Sequence, residues 1–279
     1  MRVAIGTLPL HASVIGLILV WVLPTAGLLV SSVRPAHLVS STGWWTAFTT
    51  APGFTLQNYE QVLTANNMGT SFLNSLMVTI PAVIIPIAVA SFAAFAFAWM
   101  EFPLRNTIFL ALVALLVVPL QMTLVPVLQL HTNLGLNGTF PGIWLAHTGY
   151  GLPFAIYLLR NFFGSLPREL LESAAIDGAG PATTFFRLIL PLSVPALAAL
   201  TIFQFLWVWN DLLVALIFLG GRPGVAPVTV TVSNLVNSLG QNWQLLTAAA
   251  FISTALPLIV FFALQRYFVR GLTAGAVKG

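Results

Sequence analysis

Long neutral stretches separated by short charged islands set the pattern of this chain. Backbone amides in lipid must be satisfied within their own segment, so each neutral stretch is predicted to be a helix. A span needs roughly 20 residues at 1.5 Å rise per residue. The first such stretch covers 13–33 and the second 72–100. The interval 106–159 holds no Asp, Glu, Lys or Arg and is too long for one span. Its polar, turn-rich piece from His131 to Gly138 is expected to divide it in two. A fifth stretch covers 194–219 and a sixth 246–267. Pro24, Pro81, Pro86, Pro119, Pro126, Pro153 and Pro257 lie in or at the ends of these stretches, where proline implies kinked or broken helices. The predicted fold is all-α, a polytopic membrane protein with six transmembrane helices.

Composition agrees with that pattern. Of 279 residues, 58% are hydrophobic and 6% charged, with mean hydropathy +0.98. A soluble domain carries about 25% charged residues. The net charge of +4 does not point to nucleic acid, because the basic residues are scattered. With the N-terminus inside, Arg2, Arg105, Arg160, Arg168, Arg187, Arg266, Arg270 and Lys278 fall on the cytoplasmic side. Only Arg34 and Arg222 fall outside, which is the bias that orients membrane proteins. The first stretch reads as a retained span, since its apolar run is long and no small-x-small cleavage site follows. Cysteine is absent, which removes disulfides and thiolate metal sites. The one lysine is Lys278, so no Gly-Lys-Ser/Thr phosphate loop exists. Energy from ATP would have to come from a partner.

One charged island has a definite shape. Ser165-Leu166-Pro167 reads as a helix start, with Ser165 at the N-cap and Pro167 at the first position. The helix is expected to run to Ile176 and to break at Gly178 and Gly180. Pro181 opens a second short helix, and Pro191 ends it before the fifth stretch. Ala174, Ala175 and Ala179 leave little bulk, so a partner backbone can come close, while Glu172 and Asp177 offer charge-assisted hydrogen bonds. On helix logic alone this is an amphipathic connector lying along the membrane.

The island resembles the Glu-Ala-Ala loop of ABC importer membrane subunits. That pattern is Glu-Ala-Ala, three residues, Gly, nine residues, Ile, one residue, Leu-Pro. Glu172, Ala174, Gly178, Leu190 and Pro191 match it, while Ser173 replaces the first Ala and Leu188 the Ile. Further pieces resemble the maltose-type sugar permeases: Phe72-Leu73-Asn74-Ser75, Leu152-Pro153-Phe154, Phe205-Leu206-Trp207-Val208-Trp209-Asn210-Asp211, and the ending Gly275-Ala276-Val277-Lys278-Gly279. The resemblance implies the MetI-like permease fold and a role as half of the translocation path of an ATP-driven sugar importer. It implies ATPase coupling through Glu172, Ser173, Ala174, Asp177, Gly178, Ala179, Leu190 and Pro191, and a tail contact with the ATPase through Gly275, Lys278 and Gly279. It implies a second permease, an ATPase dimer holding ATP and Mg, and an external sugar-binding protein. The chain itself is then not an enzyme and carries no cofactor or metal. The implied divisions are 1–33, N-terminus and first helix; 34–70, external segment; 71–268, permease core with the coupling loop at 160–191; and 269–279, a cytoplasmic tail read as small and flexible.

Other polar residues leave alternatives open. Asn210 and Asp211 are candidates for a translocation path, or for a structural or interfacial role. Gln121, Gln129 and Gln204 could meet sugar hydroxyls or bridge helices. His11, His37, His131 and His147 are too dispersed for a metal site, and no catalytic triad can be assembled. The external segment, with Trp44, Trp45 and Tyr59, is either an interfacial loop with aromatic anchors or a docking surface. Two rival readings remain: the same machine for a polyol or glycerol phosphate, and a proton-driven carrier, which would need more ionisable residues in its spans than this chain has.

Overall fold

The computed structural model describes residues 8–65, 67–235 and 241–276. Lys278 and Gly279 therefore lie outside the described residues. No strand occurs among the described residues. The elements are α1 (Leu8–Ser32), α2 (Ala36–Ser41), a 3-10 turn (Trp44–Phe48), α3 (Gln57–Thr64), α4 (Met68–Trp99), α5 (Arg105–Leu115), α6 (Leu120–Asn133), α7 (Phe140–Gly164), α8 (Arg168–Ile176), α9 (Pro181–Thr184), α10 (Val194–Trp209), α11 (Leu213–Leu219), α12 (Val228–Ser233) and α13 (Trp243–Ala276).

Three helices, α1, α4 and α13, are long and apolar enough to cross a membrane. Two bent pairs bring the number to five if each is one span. Helix α7 has the length of a sixth, 25 residues, but carries Thr148, His147, Tyr150 and Arg160. Pro24, Pro81, Pro86, Pro126, Pro153 and Pro257 all sit inside continuous helices, so of the expected kinks or breaks these six positions are not breaks.

Two breaks do occur. The first separates α5 from α6 with a bend of 103°. Leu116, Val117 and Val118 donate to carbonyls three residues back, and Pro119, lacking an N–H, stands as N-cap of α6. The sequence reading placed the only division of 106–159 at His131–Gly138. There α6 runs to Asn133, and the turn follows with Gly135 and Gly138 in the left-handed region. The second break, of 73°, lies at Ser193. Pro191 and Pro195 flank it, and each withholds an N–H from the helix ladder. The turn before it, Phe185–Ile189, is widened to π geometry. A proline ring presses on the carbonyl four residues earlier, here that of Arg187, and the wider turn relieves it.

The described chain forms two compact units, 1–70 with 231–255 and 71–230 with 256–279. In the first unit, α1 leads into a folded segment held by Arg34 and Asn58. Asn58 Nδ2 donates to the carbonyls of Ser32 and Arg34, both at 2.8 Å. In the second, α4, α7 and α10 pack round buried side chains. One cluster gathers Phe95, Leu159, Phe163, Phe185, Ile189 and Leu200; another gathers Val78, Ile143, Val214 and Phe218. Asn74 Nδ2 donates to the carbonyls of Gly224 and Ala226, and Ser75 Oγ accepts from Val228 N–H at 2.8 Å. The sequence pair Asn74-Ser75 thus ties the start of α4 to the loop after α11.

Candidate functional site

The helical elbow at 165–192 is built much as the glycines demand. Helix α8 ends at Ile176, Asp177 caps it, and Gly178 adopts φ +78°. Ala179 N–H donates to the Ala174 carbonyl at 2.9 Å, and Gly178 N–H to that of Ala175 at 3.0 Å. These two bonds are the Schellman ending, which requires the residue after the cap to be left-handed. Gly180 then caps α9, with Pro181 at its first position. One expectation is corrected: Ser165 does not cap α8. Its hydroxyl donates backward to the Phe162 carbonyl at 2.7 Å, closing α7, and Pro167 takes the N-cap place of α8. Another is that Pro191 ends the second short helix; it lies within the helical turn Leu190–Leu192, and the chain bends only at Ser193.

Glu172, Ser173, Asp177 and Gly178 are exposed, while Ala174, Ala179 and Leu190 are half-buried and Pro191 is exposed. Ile176 is 86% exposed, an apolar side chain left uncovered at the tip. The buried side of the elbow grips the second unit. Phe185 and Ile189 are buried, and Leu166, Leu171 and Leu190 pack on the same cluster. Phe185 stacks on Phe92 of α4, centroids 4.8 Å apart, and meets Phe95 at 5.3 Å. Sequence reasoning found the exposed residues by their spacing and missed these anchors. An apolar residue in an apolar chain gives no signal.

Deeper in the second unit, two clefts meet at Tyr150 and Trp207. One, about 380 Å³, lies against the α5–α6 break and includes Thr123 and Gly149. The other, about 270 Å³, is lined by Gly151, Phe154, Phe203 and Gln204 as well. Gly151 makes room for Gln204: a Cβ there would stand 2.7 Å from Gln204 Nε2. Gln204 Nε2 donates to the Ala82 carbonyl at 3.1 Å, so this glutamine does bridge helices. Gln204 also lines the cleft. Tyr150 Oη and Thr123 Oγ1 lie 3.3 Å apart. The surface therefore offers two aromatic faces and a few polar atoms, a combination that can hold a polyhydroxylated solute.

Asp211 does not stand within a helix. It lies in the gap between α10 and α11, where its two oxygens accept from Val214 N–H at 3.2 Å and Ala215 N–H at 2.9 Å. Thr229 donates to its carbonyl at 2.6 Å. This carboxylate caps the N-terminus of α11, a structural task. Fully buried His147 places Nε2 3.8 Å from Asp211 Oδ2, and its ring meets Trp207 edge-on at 5.3 Å. Asn210 is exposed, with Nδ2 donating to the Leu206 carbonyl. Among the described residues no group of three His, Asp or Glu side chains could hold a metal. Gly275 falls in the last turns of α13, which continues to Ala276, so the start of the tail is helical rather than the flexible end that was expected.

Residues 102–274 match the family described as the binding-protein-dependent transport system inner membrane component. The chain belongs to this family. As one of these permeases, it is a membrane transport subunit whose ATPase and solute-binding functions reside in partner proteins. It is 58% identical over 274 residues to the osmoprotective compounds uptake permease protein GgtD of Synechocystis, covering 97% of this chain and 92% of that one. It is 43% identical to the alpha-glucoside transport system permease protein AglG of Rhizobium meliloti, covering 98% and 97%. Among solved structures, a bacterial ABC transporter involved in import of the acidic polysaccharide alginate matches with TM-score 0.77 at 20% identity, covering 96% of this permease and 98% of that chain. The last likeness is one of fold, and it places the helices of this permease in the ABC importer architecture.

Proposed function

We propose that this permease forms half of the translocation path of an ATP-driven sugar importer. The observation that carries the proposal is the elbow: an exposed Schellman turn at Asp177–Ala179, rigidly joined through Phe185 to helix α4. A second permease supplies the other half, and a dimer of ATPase subunits, holding ATP and Mg, sits on the cytoplasmic side with both termini of this chain. Glu172, Ser173, Ala174, Asp177, Gly178 and Ala179 meet the ATPase, with Leu190 and Pro191 setting the angle of the elbow against α10. Gly275, Lys278 and Gly279 add a tail contact. ATP binding closes the ATPases, the elbow moves with them, and Phe185 passes the motion to α4. An external binding protein delivers the sugar, and hydrolysis resets the bundle.

The solute class rests on the paired clefts and on the relative named for alpha-glucosides. Tyr150 and Trp207 supply faces on which a sugar ring can lie, and the Gln204 amide beside them can meet a hydroxyl. Asn210 flanks the path, and Asp211 shapes it by capping α11. A second reading has a specific support: the relative at 58% identity takes up osmoprotective compounds, so a small polyol-like osmolyte suits the same clefts. The test is uptake of labelled solutes by membranes holding the transporter, with the proton gradient collapsed and ATP maintained. Continued uptake of an alpha-glucoside is the expected result. Loss of uptake on collapse indicates a proton-driven carrier, and uptake of osmolytes alone moves the solute to the second reading.

A further inference from the structure

We propose that the segment after α1, residues 44–56, is a foot seated in the lipid interface rather than a surface for a soluble partner. The argument begins with Gly27. A Cβ there would lie 2.7 Å from Nε1 of Trp44, so the Trp44 indole rests directly on α1. Gly27 is five residues before Ser32, which puts it about 7.5 Å inside the helix end. The 3-10 turn therefore folds back along α1 towards the middle of the span instead of standing off into water. Helix α1 is exposed on nearly all sides, with Leu28 and Leu29 half uncovered beside this contact. The apolar surface continues onto the foot through Trp45 (63% exposed), Phe48 (68%), Phe54 (58%) and Leu56 (72%). The Phe48 and Phe54 rings are neighbours, 6.3 Å apart.

The chemistry selects lipid as the occupant. From Pro35 to Tyr59 there is no Asp, Glu, Lys or Arg. A soluble partner leaves and returns, and its docking surface carries a polar rim that stays hydrated between visits. A charge-free surface of Trp, Phe and Leu, with Thr49 and Thr50 beside them and continuous with an exposed apolar helix, suits the headgroup boundary, where such residues gather. Arg34 explains how irregular backbone survives there. Its side chain is fully buried, and the guanidinium donates to the carbonyls of Gly43 (2.9 Å) and Ala51 (3.2 Å) and to the hydroxyls of Thr42 (3.0 Å) and Thr46 (3.2 Å). Backbone oxygens outside a helix and away from water need internal donors, and one arginine supplies several.

The absence of cysteine makes the test direct. Single variants W45C, F48C, F54C and L56C are prepared in the complete transporter, spin-labelled and reconstituted in bilayers. Collision rates with oxygen and with a water-soluble nickel chelate are compared at each site. W21C on α1 is the lipid reference and E60C the aqueous one. The expected result is oxygen preference, matching W21C, at three or more of the four sites. A nickel preference matching E60C at two or more overturns the proposal in favour of an aqueous docking face. Shielding from both reagents at two or more also overturns it, because a protein neighbour then covers the foot.

Discussion

Phe185 stacks on Phe92 at 4.8 Å with ring planes 30° apart, joining the second half of the elbow to the last third of α4. Phe95 closes the same ring from another side at 5.3 Å. Phe185 and Phe95 are buried, whereas Phe92 is 53% exposed and the elbow's charged face is exposed as well. In the proposed coupling role, motion imposed on the exposed face would reach α4 through the contacts of Phe185 with Phe92 and Phe95.

Phe185→Ala is expected to cost about 3–5 kcal/mol of stability through the cavity it leaves. Phe185→Leu refills most of that space but loses the stacking. The leucine variant should assemble with its partners yet show weakened solute-stimulated ATP hydrolysis. Thermal unfolding of the purified transporter and its hydrolysis rate separate the two effects.

Gly178 has φ +78° with open space round its would-be Cβ, so conformation and not crowding restricts the position. Gly178→Val should strain the turn by about 1–3 kcal/mol, while Gly178→Asn tolerates the left-handed region better. Both variants are expected to insert in the membrane. The valine variant should lose solute-stimulated hydrolysis and the asparagine variant should retain most of it. Normal hydrolysis in the valine variant removes the coupling role from this turn.

Asp211 distinguishes a capping residue from a solute ligand. Asp211→Asn keeps one oxygen, enough for one of the two N–H groups that Oδ1 and Oδ2 accept from, whereas Asp211→Ala removes both bonds, at about 1 kcal/mol. Capping predicts near-normal uptake in the asparagine variant and a less stable transporter in the alanine variant. Equal loss of uptake in both, with stability unchanged, would instead make the carboxylate a ligand.

The cleft predicts its own pair. Trp207→Ala removes a ring face, and Gln204→Leu removes the amide that lines the same space. Each is expected to raise the half-saturating solute concentration about tenfold, the equivalent of about 1.4 kcal/mol. The reading is steady-state uptake across a range of solute concentrations, with transporter abundance held equal.

The residues differ in how plainly they announce themselves. The elbow was legible because glycine and proline act locally: Gly178, Gly180 and Pro181 end one helix and start the next in the places their backbone preferences dictate. Long apolar helices were legible from the spacing of charge. Ser165 misled because a hydroxyl between two helices can serve either end, and here it joins its own backbone N–H on the Phe162 carbonyl. Pro119 shares with six other prolines the expectation of a kink or break, but nothing in the sequence sets it apart as the one with a 103° bend beside it, while the six others sit inside helices. Tyr150, Gly151, Gln204 and Trp207 come together only when α7 and α10 pack, so no spacing along the chain marks them. Asp211 was visible as a lone acid, but its partners Val214 and Ala215 appear only once the helix breaks at Asn210.

The most direct measurement is site-specific photo-crosslinking from the elbow in native membranes. A photoreactive residue replaces Ile176, the 86% exposed tip of α8, and a second placement at Val117, 82% exposed at the α5–α6 break, serves as the control. The account predicts an ATPase subunit covalently captured from position 176 and none from position 117. Full assembly of the transporter with no ATPase adduct from position 176 would contradict the claim that this elbow couples ATP hydrolysis to transport.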